Sequence, residues 1–158
     1  MVMEKRFRNL IESQVSEVEL VYRSKVKTSE RPLVKSSSDC ATILRGLWDE
    51  GRIGMIEEFK VLYMNRANRV IGFLEVSSGG VTSTVADSRI IFAAALKLLA
   101  CYMVIAHNHP SGCLRPSQND EDLTRKIKQA CEIFDMKLLD HIILTDESYF
   151  SFADEGLL

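Results

Sequence analysis

The chain lacks the features that would mark it for a membrane, for export or for a disulfide scaffold. No stretch approaches the roughly 18 apolar residues of a membrane span. The opening MVMEKRFRNLIESQVSEVEL lacks the uninterrupted apolar run of a secretory leader. Cys40, Cys101, Cys113 and Cys131 show no CxxC pairing and are expected to be free packing thiols in a reducing compartment. A cytoplasmic location follows as the expectation. Charge of one sign is equally scarce: 20 basic and 22 acidic side chains leave a net charge of -2, so no global positive field draws phosphate backbones. Eight basic residues against five acidic ones through Lys35 read as a solvated face. Internal repeats and low-complexity tracts are absent, and 46% hydrophobic with 27% charged residues excludes a disordered or collagen-like chain.

What is there reads as one mixed α and β domain of 158 residues. Residues 1–13 suggest an irregular or helical arm, residues 17–22 a strand, and the Ser- and Lys-rich residues 27–39 a linker or long loop. Ser38 or Asp39 is expected to cap a helix that carries Ile43, Leu44, Leu47 and Trp48 at helical spacing and stops at Gly51. Strands over 57–65 and 69–77 form a hairpin around Ala67-Asn68. Asp87 or Ser88 caps the helix IIFAAALKLLA, whose lack of a polar face implies deep packing. A short apolar strand, Tyr102 to Ala106, opens into the polar run HNHPSG. Ser117 then starts a helix to about Phe134, followed by a strand over 137–144 and a short one near 149–152.

The informative segment runs from His107 to Asp120. Residues two apart in extended chain point the same way, so His107 and His109 can aim both imidazoles at one ion. Asp120 lies three residues into the helix that starts at Ser117, and a spacer holding Pro110, Gly112 and Pro116 can fold that first turn back over the strand end. Two His and one Asp leave a tetrahedral zinc site one ligand short, the pattern of a catalytic site open to water. Taken singly, HxH is often chance and Ser117-x-x-Asp120 is often a plain capping box. Their combination in one spacing is what carries the reading. His141, after Asp140, reads as a satisfied structural histidine rather than a ligand.

The pattern HxHPSGxxxPSxxD resembles the signature of the RadC-like branch of the JAMM, or MPN-type (JAB domain), metalloproteins. The resemblance extends from about Ser38 to Leu158 through EEFKVLYMN, the helix before HNHPSG, LLDHIIL and YFSFADEGLL. It implies a three-layer α/β/α sandwich with a mixed central sheet, shared with the deaminase-like architecture, over residues 37–158, preceded by an arm, strand and loop over 1–36. It implies one zinc ion per chain on His107, His109 and Asp120, with Cys113 outside the ligand set. In such enzymes an upstream glutamate in a Glu-x-Phe segment activates the water, and Glu57 matches that position, with Glu58 the nearby alternative. By the same resemblance Ser117 donates to the oxyanion formed when water attacks a carbonyl.

The sequence departs from common RadC-like members at Val81-Thr82-Ser83-Thr84 and Ala86-Asp87-Ser88-Arg89, where Gly-Thr-x-Asn and His-Pro-Arg-Glu patterns are frequent. The Gly-rich hairpins of the helix-hairpin-helix region found in longer RadC proteins do not appear either, so the metal domain alone is expected. The function expected is zinc-dependent hydrolysis of an amide or isopeptide bond in a peptide substrate. The competing expectation is a DNA-associated accessory domain, linked to repair, with a structural or vestigial metal site; near-neutral charge weighs against nucleic acid as the partner. A nucleobase deaminase is excluded because its H-x-E and P-C-x-x-C pair is missing.

Overall fold

The computed structural model describes Gln14, residues 21–79 and residues 86–158. The expected arm over 1–13, most of the strand over 17–22 and the departure over 81–84 lie outside these residues. Val21 and Tyr22, the described end of that strand, carry no regular structure.

Eight regular elements follow a 3-10 turn at Thr28–Glu30: α1 (Ser37–Arg45), β1 (Glu58–Met64), β2 (Val70–Ser78), α2 (Ser88–Leu98), β3 (Tyr102–Asn108), α3 (Gln118–Ile133), β4 (Lys137–Leu144) and β5 (Tyr149–Ser151). The strands form one sheet in the order β2-β1-β3-β4-β5. Only β3 and β4 run parallel; the other three pairings are antiparallel, so the sheet is mixed as expected.

Two cores, one on each face, make the three layers. On one face Phe59, Val61 and Tyr63 of β1 and Met103 and Ile105 of β3 pack against Ile91 and Ala95 of α2 and Ile127 and Cys131 of α3. On the other, Leu62, Met64, Val104 and Ala106 meet Cys40, Ala41 and Leu44 of α1, together with Trp48 and Ile53. The split follows from the pleat, which sends successive side chains to opposite faces. Because both faces are covered, β1 and β3 are buried nearly end to end; β3 reads as a continuous apolar run from Tyr102 to Ala106, whereas β1 carries Glu58 and Lys60, buried as an ion pair at 3.1 Å.

The start of α1 differs from expectation. Its cap is Ser36, whose side chain accepts from Asp39 N–H while Asp39 Oδ2 accepts from the Lys35 and Ser36 N–H groups. Serine and aspartate three apart close a reciprocal capping box, and of the serines at 36–38 only Ser36 stands at that distance from Asp39. The helix ends at Arg45, with Leu47 and Trp48 in the turns that follow, so Gly51 lies beyond its terminus. The polar residues before it are tied to the hairpin rather than free: Val34 N–H donates to Asn68 O at 2.9 Å, Val70 N–H donates to Pro32 O at 2.9 Å, and Leu33 bridges Arg69.

The hairpin turn is built by Asn65, whose Oδ1 accepts from Ala67 and Arg69 N–H, and by Asn68 in the left-handed region at φ 55°. Asp87 caps α2 as expected. The deep packing expected of α2 is only half realised: Ile91, Phe92 and Ala95 are buried, while Ile90, Leu96 and the C-capping Leu99 are exposed. A helix on one side of a sheet has a single covered face, whatever its composition.

Candidate metal centre

β3 ends beside the C-terminal end of its parallel neighbour β4, and the site forms there. His107 is the penultimate residue of β3, pairs in register with Phe59 of β1 and Ile143 of β4, and is buried. His109 continues the extended chain, anchored by its N–H donating to Leu144 O at 2.8 Å. A turn then reverses the chain, closed by Gly112 N–H on His109 O; Gly112 sits at φ 76°, a conformation that suits glycine. The loop delivers Ser117 as N-cap of α3. Its Oγ accepts from Asp120 N–H at 3.2 Å, and Asp120 Oδ2 accepts from Ser117 N–H at 2.7 Å and from Ser117 Oγ–H at 2.7 Å. The capping box therefore sets the direction of Asp120, and its Oδ1 is turned to His107.

The expected ligands come together. His107 Nε2 lies 2.9 Å from His109 Nε2 and 3.2 Å from Asp120 Oδ1, and His109 Nε2 lies 3.8 Å from Asp120 Oδ2. One ligand atom from each of the three residues falls within 4.8 Å of the others, a spread that can hold one metal ion. The side chains are 2% exposed at His107 but 16% and 15% at His109 and Asp120, so the group opens to the surface on one side only.

The donor set fits a cation. His109 Nδ1 lies 2.6 Å from Cys113 O, and a carbonyl only accepts, so this nitrogen carries a ring proton and Nε2 is the one whose lone pair can accept a cation. That second nitrogen faces another imidazole nitrogen and a carboxylate. A single proton shared among three such acceptors satisfies them incompletely; a metal ion with imidazole and carboxylate preference satisfies all three. Burial pushes the Asp120 carboxyl up, but hydrogen bonding and charge from His107, with the Ser117 hydrogen bonds, outweigh it and hold Asp120 below the usual carboxylate range. It is ionised and ready to ligate.

The two glutamates separate cleanly. Glu58 is buried on the face opposite His107, where Arg52 Nη2 lies 3.0 Å and Lys60 Nζ 3.1 Å from its carboxylate. Glu57 immediately precedes β1, two residues before Phe59, which pairs with His107; its carbonyl accepts from Gly79 N–H, and its carboxylate forms no hydrogen bond or ion pair with another described residue.

His141 is no ligand, but it does more than fill the core. Its Nε2 lies 2.8 Å from His107 Nδ1, its Nδ1 2.6 Å from Thr124 Oγ1, and Phe152 stacks on its ring at 4.6 Å between centroids. Cys113 contributes its carbonyl, not its thiol. Neither Thr124 nor the Cys113 carbonyl carries a signal in the sequence, since each acts through a contact made only by the fold. Asn108, between the two histidines, is buried on the opposite face.

A mixed α/β/α sandwich with a His-His-Asp cluster at the end of a central strand defines the class as a JAB-type metal-binding fold. The sequence matches the family described as RadC-like JAB domain over residues 34–157, and the chain belongs to that family. It is similar to a UPF0758 protein of Flavobacterium johnsoniae, 44% identical over 126 residues that cover 78% of this chain and 53% of the relative. It is also similar to a UPF0758 protein of Porphyromonas gingivalis, 46% identical over 103 residues covering 65% and 45% of the two chains. A third, from Streptococcus gordonii, is 40% identical over 99 residues covering 63% and 44%. The chain spans about half the length of the curated relatives it matches. Among the described residues no helix is long and apolar enough to cross a membrane.

Proposed function

We propose that the domain is a zinc-dependent hydrolase acting on an amide or isopeptide bond, with His107, His109 and Asp120 as ligands. The observation that supports it best is the convergence of two imidazole nitrogens and a carboxylate on one point that is open to the surface on a single side. Bound there, zinc supplies Lewis acidity that brings the pKa of a water close to neutral and polarises a carbonyl. Glu57 takes the proton from the attacking water on its carboxylate and returns it to the leaving nitrogen, a role for which a carboxylate two residues before the strand position that pairs with His107, and without a competing partner among the described residues, is suited. Ser117 first orients Asp120 through the capping box; its hydroxyl donates to the substrate oxyanion by exchanging its hydrogen bond with Asp120 Oδ2.

The test is metal content per chain, by elemental analysis of protein purified without added metal. About one zinc per wild-type chain, lost in His109→Ala and Asp120→Ala, is expected for a site with three protein ligands. A wild-type chain that takes up no zinc even when it is supplied would end this reading. With the metal in place, Glu57→Gln is expected to keep the zinc and lower turnover of an amide or isopeptide probe by roughly 10²- to 10⁴-fold. Full turnover in that variant would remove Glu57 from the mechanism.

A further inference from the structure

A chain of three hydrogen bonds runs from the backbone of one proposed ligand to the ring of another without passing through the ligand cluster. Thr124 Oγ1 lies 2.6 Å from Asp120 O and 2.6 Å from His141 Nδ1, and His141 Nε2 lies 2.8 Å from His107 Nδ1. Every member is buried or belongs to the site, so none exchanges partners with bulk water.

The direction of this chain is set at its far end. A peptide carbonyl cannot donate, so the single Thr124 hydroxyl proton goes to Asp120 O. The hydroxyl oxygen then accepts, and the proton between it and His141 is on Nδ1. His141 is fully buried between Phe59 and Phe152, its two ring nitrogens meet only the Thr124 hydroxyl and the His107 imidazole, and no carboxylate among the described residues pairs with it, so the one proton on Nδ1 leaves Nε2 as the acceptor. Facing that nitrogen, His107 Nδ1 donates, which leaves Nε2 as the His107 nitrogen that faces His109 and Asp120 and can take a metal. The opposite direction would set the Thr124 and Asp120 oxygens 2.6 Å apart with no proton between them. We propose that Thr124 and His141 are positioning residues that hold His107 in the tautomer whose Nε2 accepts a metal.

The ring of His141 is itself fixed for this task. Asp140 Oδ1 accepts from His141 N–H at 2.7 Å and from Ala153 N–H at 3.0 Å, and Phe152 N–H donates back to His141 O at 3.0 Å, which seats the Phe152 ring on the imidazole. Outer partners of this kind orient a ligating histidine and typically change metal affinity about 10- to 100-fold when removed. Thr124 also couples two ligands, since the same hydroxyl that sets His107 bonds the backbone of Asp120.

This inference rests on the zinc reading above, and the experiment keeps the two apart. Zinc affinity is measured by competition with a chelator for the wild type, Thr124→Val and Thr124→Ser, with the urea stability of each metal-free protein alongside. Thr124→Val, which keeps the shape and loses the hydroxyl, is expected to bind zinc about 10- to 100-fold more weakly, and Thr124→Ser is expected to restore most of the affinity. Wild-type zinc binding with equal affinity in Thr124→Val overturns the positioning role alone; absence of zinc binding in the wild type overturns both readings. A second measurement needs no variant: nitrogen-15 NMR of the histidine rings in metal-free wild-type protein at mildly alkaline pH. His141 is expected as the Nδ1–H tautomer and His107 as the Nδ1–H tautomer; an Nε2–H proton on either ring overturns the proposal.

Discussion

His107 and Asn108 are consecutive, both buried, and both at the C-terminal end of β3, yet they have opposite surroundings. Asn108 is complete. Its Oδ1 accepts from Trp48 Nε1–H at 3.0 Å and Glu58 N–H at 2.8 Å, and its Nδ2 donates to Ile53 O at 2.7 Å and Ile56 O at 2.8 Å. Both lone-pair directions and both amide protons are used. His107, one residue earlier and on the other face, directs Nε2 at an imidazole nitrogen and a carboxylate, groups that compete for one proton. The pleat separates the two tasks: one side chain closes the turns over the α1 face, while its neighbour belongs to an acceptor cluster that could hold a cation.

Breaking the Asn108 side should have the largest effect on stability. Asn108→Ala leaves two buried donors and two buried carbonyls without their partner, a loss expected at about 3–5 kcal/mol in urea unfolding. Asn108→Asp keeps the acceptors and loses the donors, and should fall between that variant and the wild type. A loss under about 1 kcal/mol for Asn108→Ala would show that water or backbone shifts replace the side chain, and the contrast between the two faces would fail.

The matching change on the other face should do the reverse. Asp120→Asn retains an oxygen for the Ser117 N–H and removes a charge from the acceptor cluster, so the metal-free variant is expected within about 1 kcal/mol of wild type, or above it, while zinc is lost. Sites held for function commonly gain stability when they are disarmed. A destabilisation as large as that of Asn108→Ala would mean that the cluster is a structural element in its own right.

The two faces were also unequally legible in the sequence. The His-His-Asp cluster could be read because both rules that place it are local: alternation aligns His107 with His109, and the capping box fixes Asp120 relative to Ser117. Asn108 could not be read, because its partners lie 50 to 60 residues away and include two backbone carbonyls that any sequence would supply. The same holds for Thr124, whose bond to His141 spans 17 residues between a helix and a strand. His141 was correctly read as a satisfied histidine, but which groups satisfy it is a matter of packing. The helix IIFAAALKLLA taught a further limit. An apolar circumference indicates that a helix is able to be buried all round, not that a neighbour exists to bury it, and Ile90, Leu96 and Leu99 remain exposed.

Asp140 gives the smallest effect and the sharpest test of how the His141 side is held. Burial raises its carboxyl above the ordinary value of 3.8, against the pull of the Ser151, Ala153 and His141 hydrogen bonds. A carboxyl that binds its proton more tightly in the folded state contributes its full stability below the unfolded value, and that contribution is lost as pH rises through the folded one. Asn at this position does not ionise, keeps Oδ1 for the His141 and Ala153 N–H groups, and donates from Nδ2 to Ser151 Oγ, which now accepts. The stability of wild type relative to Asp140→Asn is therefore expected to decline as pH rises from about 4 through the raised folded value in denaturation measurements, with zinc affinity little changed. A relative stability that rises over that range would mean that the three hydrogen bonds favour the carboxylate more than burial opposes it, and that a charged Asp140, rather than a neutral one, pins His141 beside the His-His-Asp cluster.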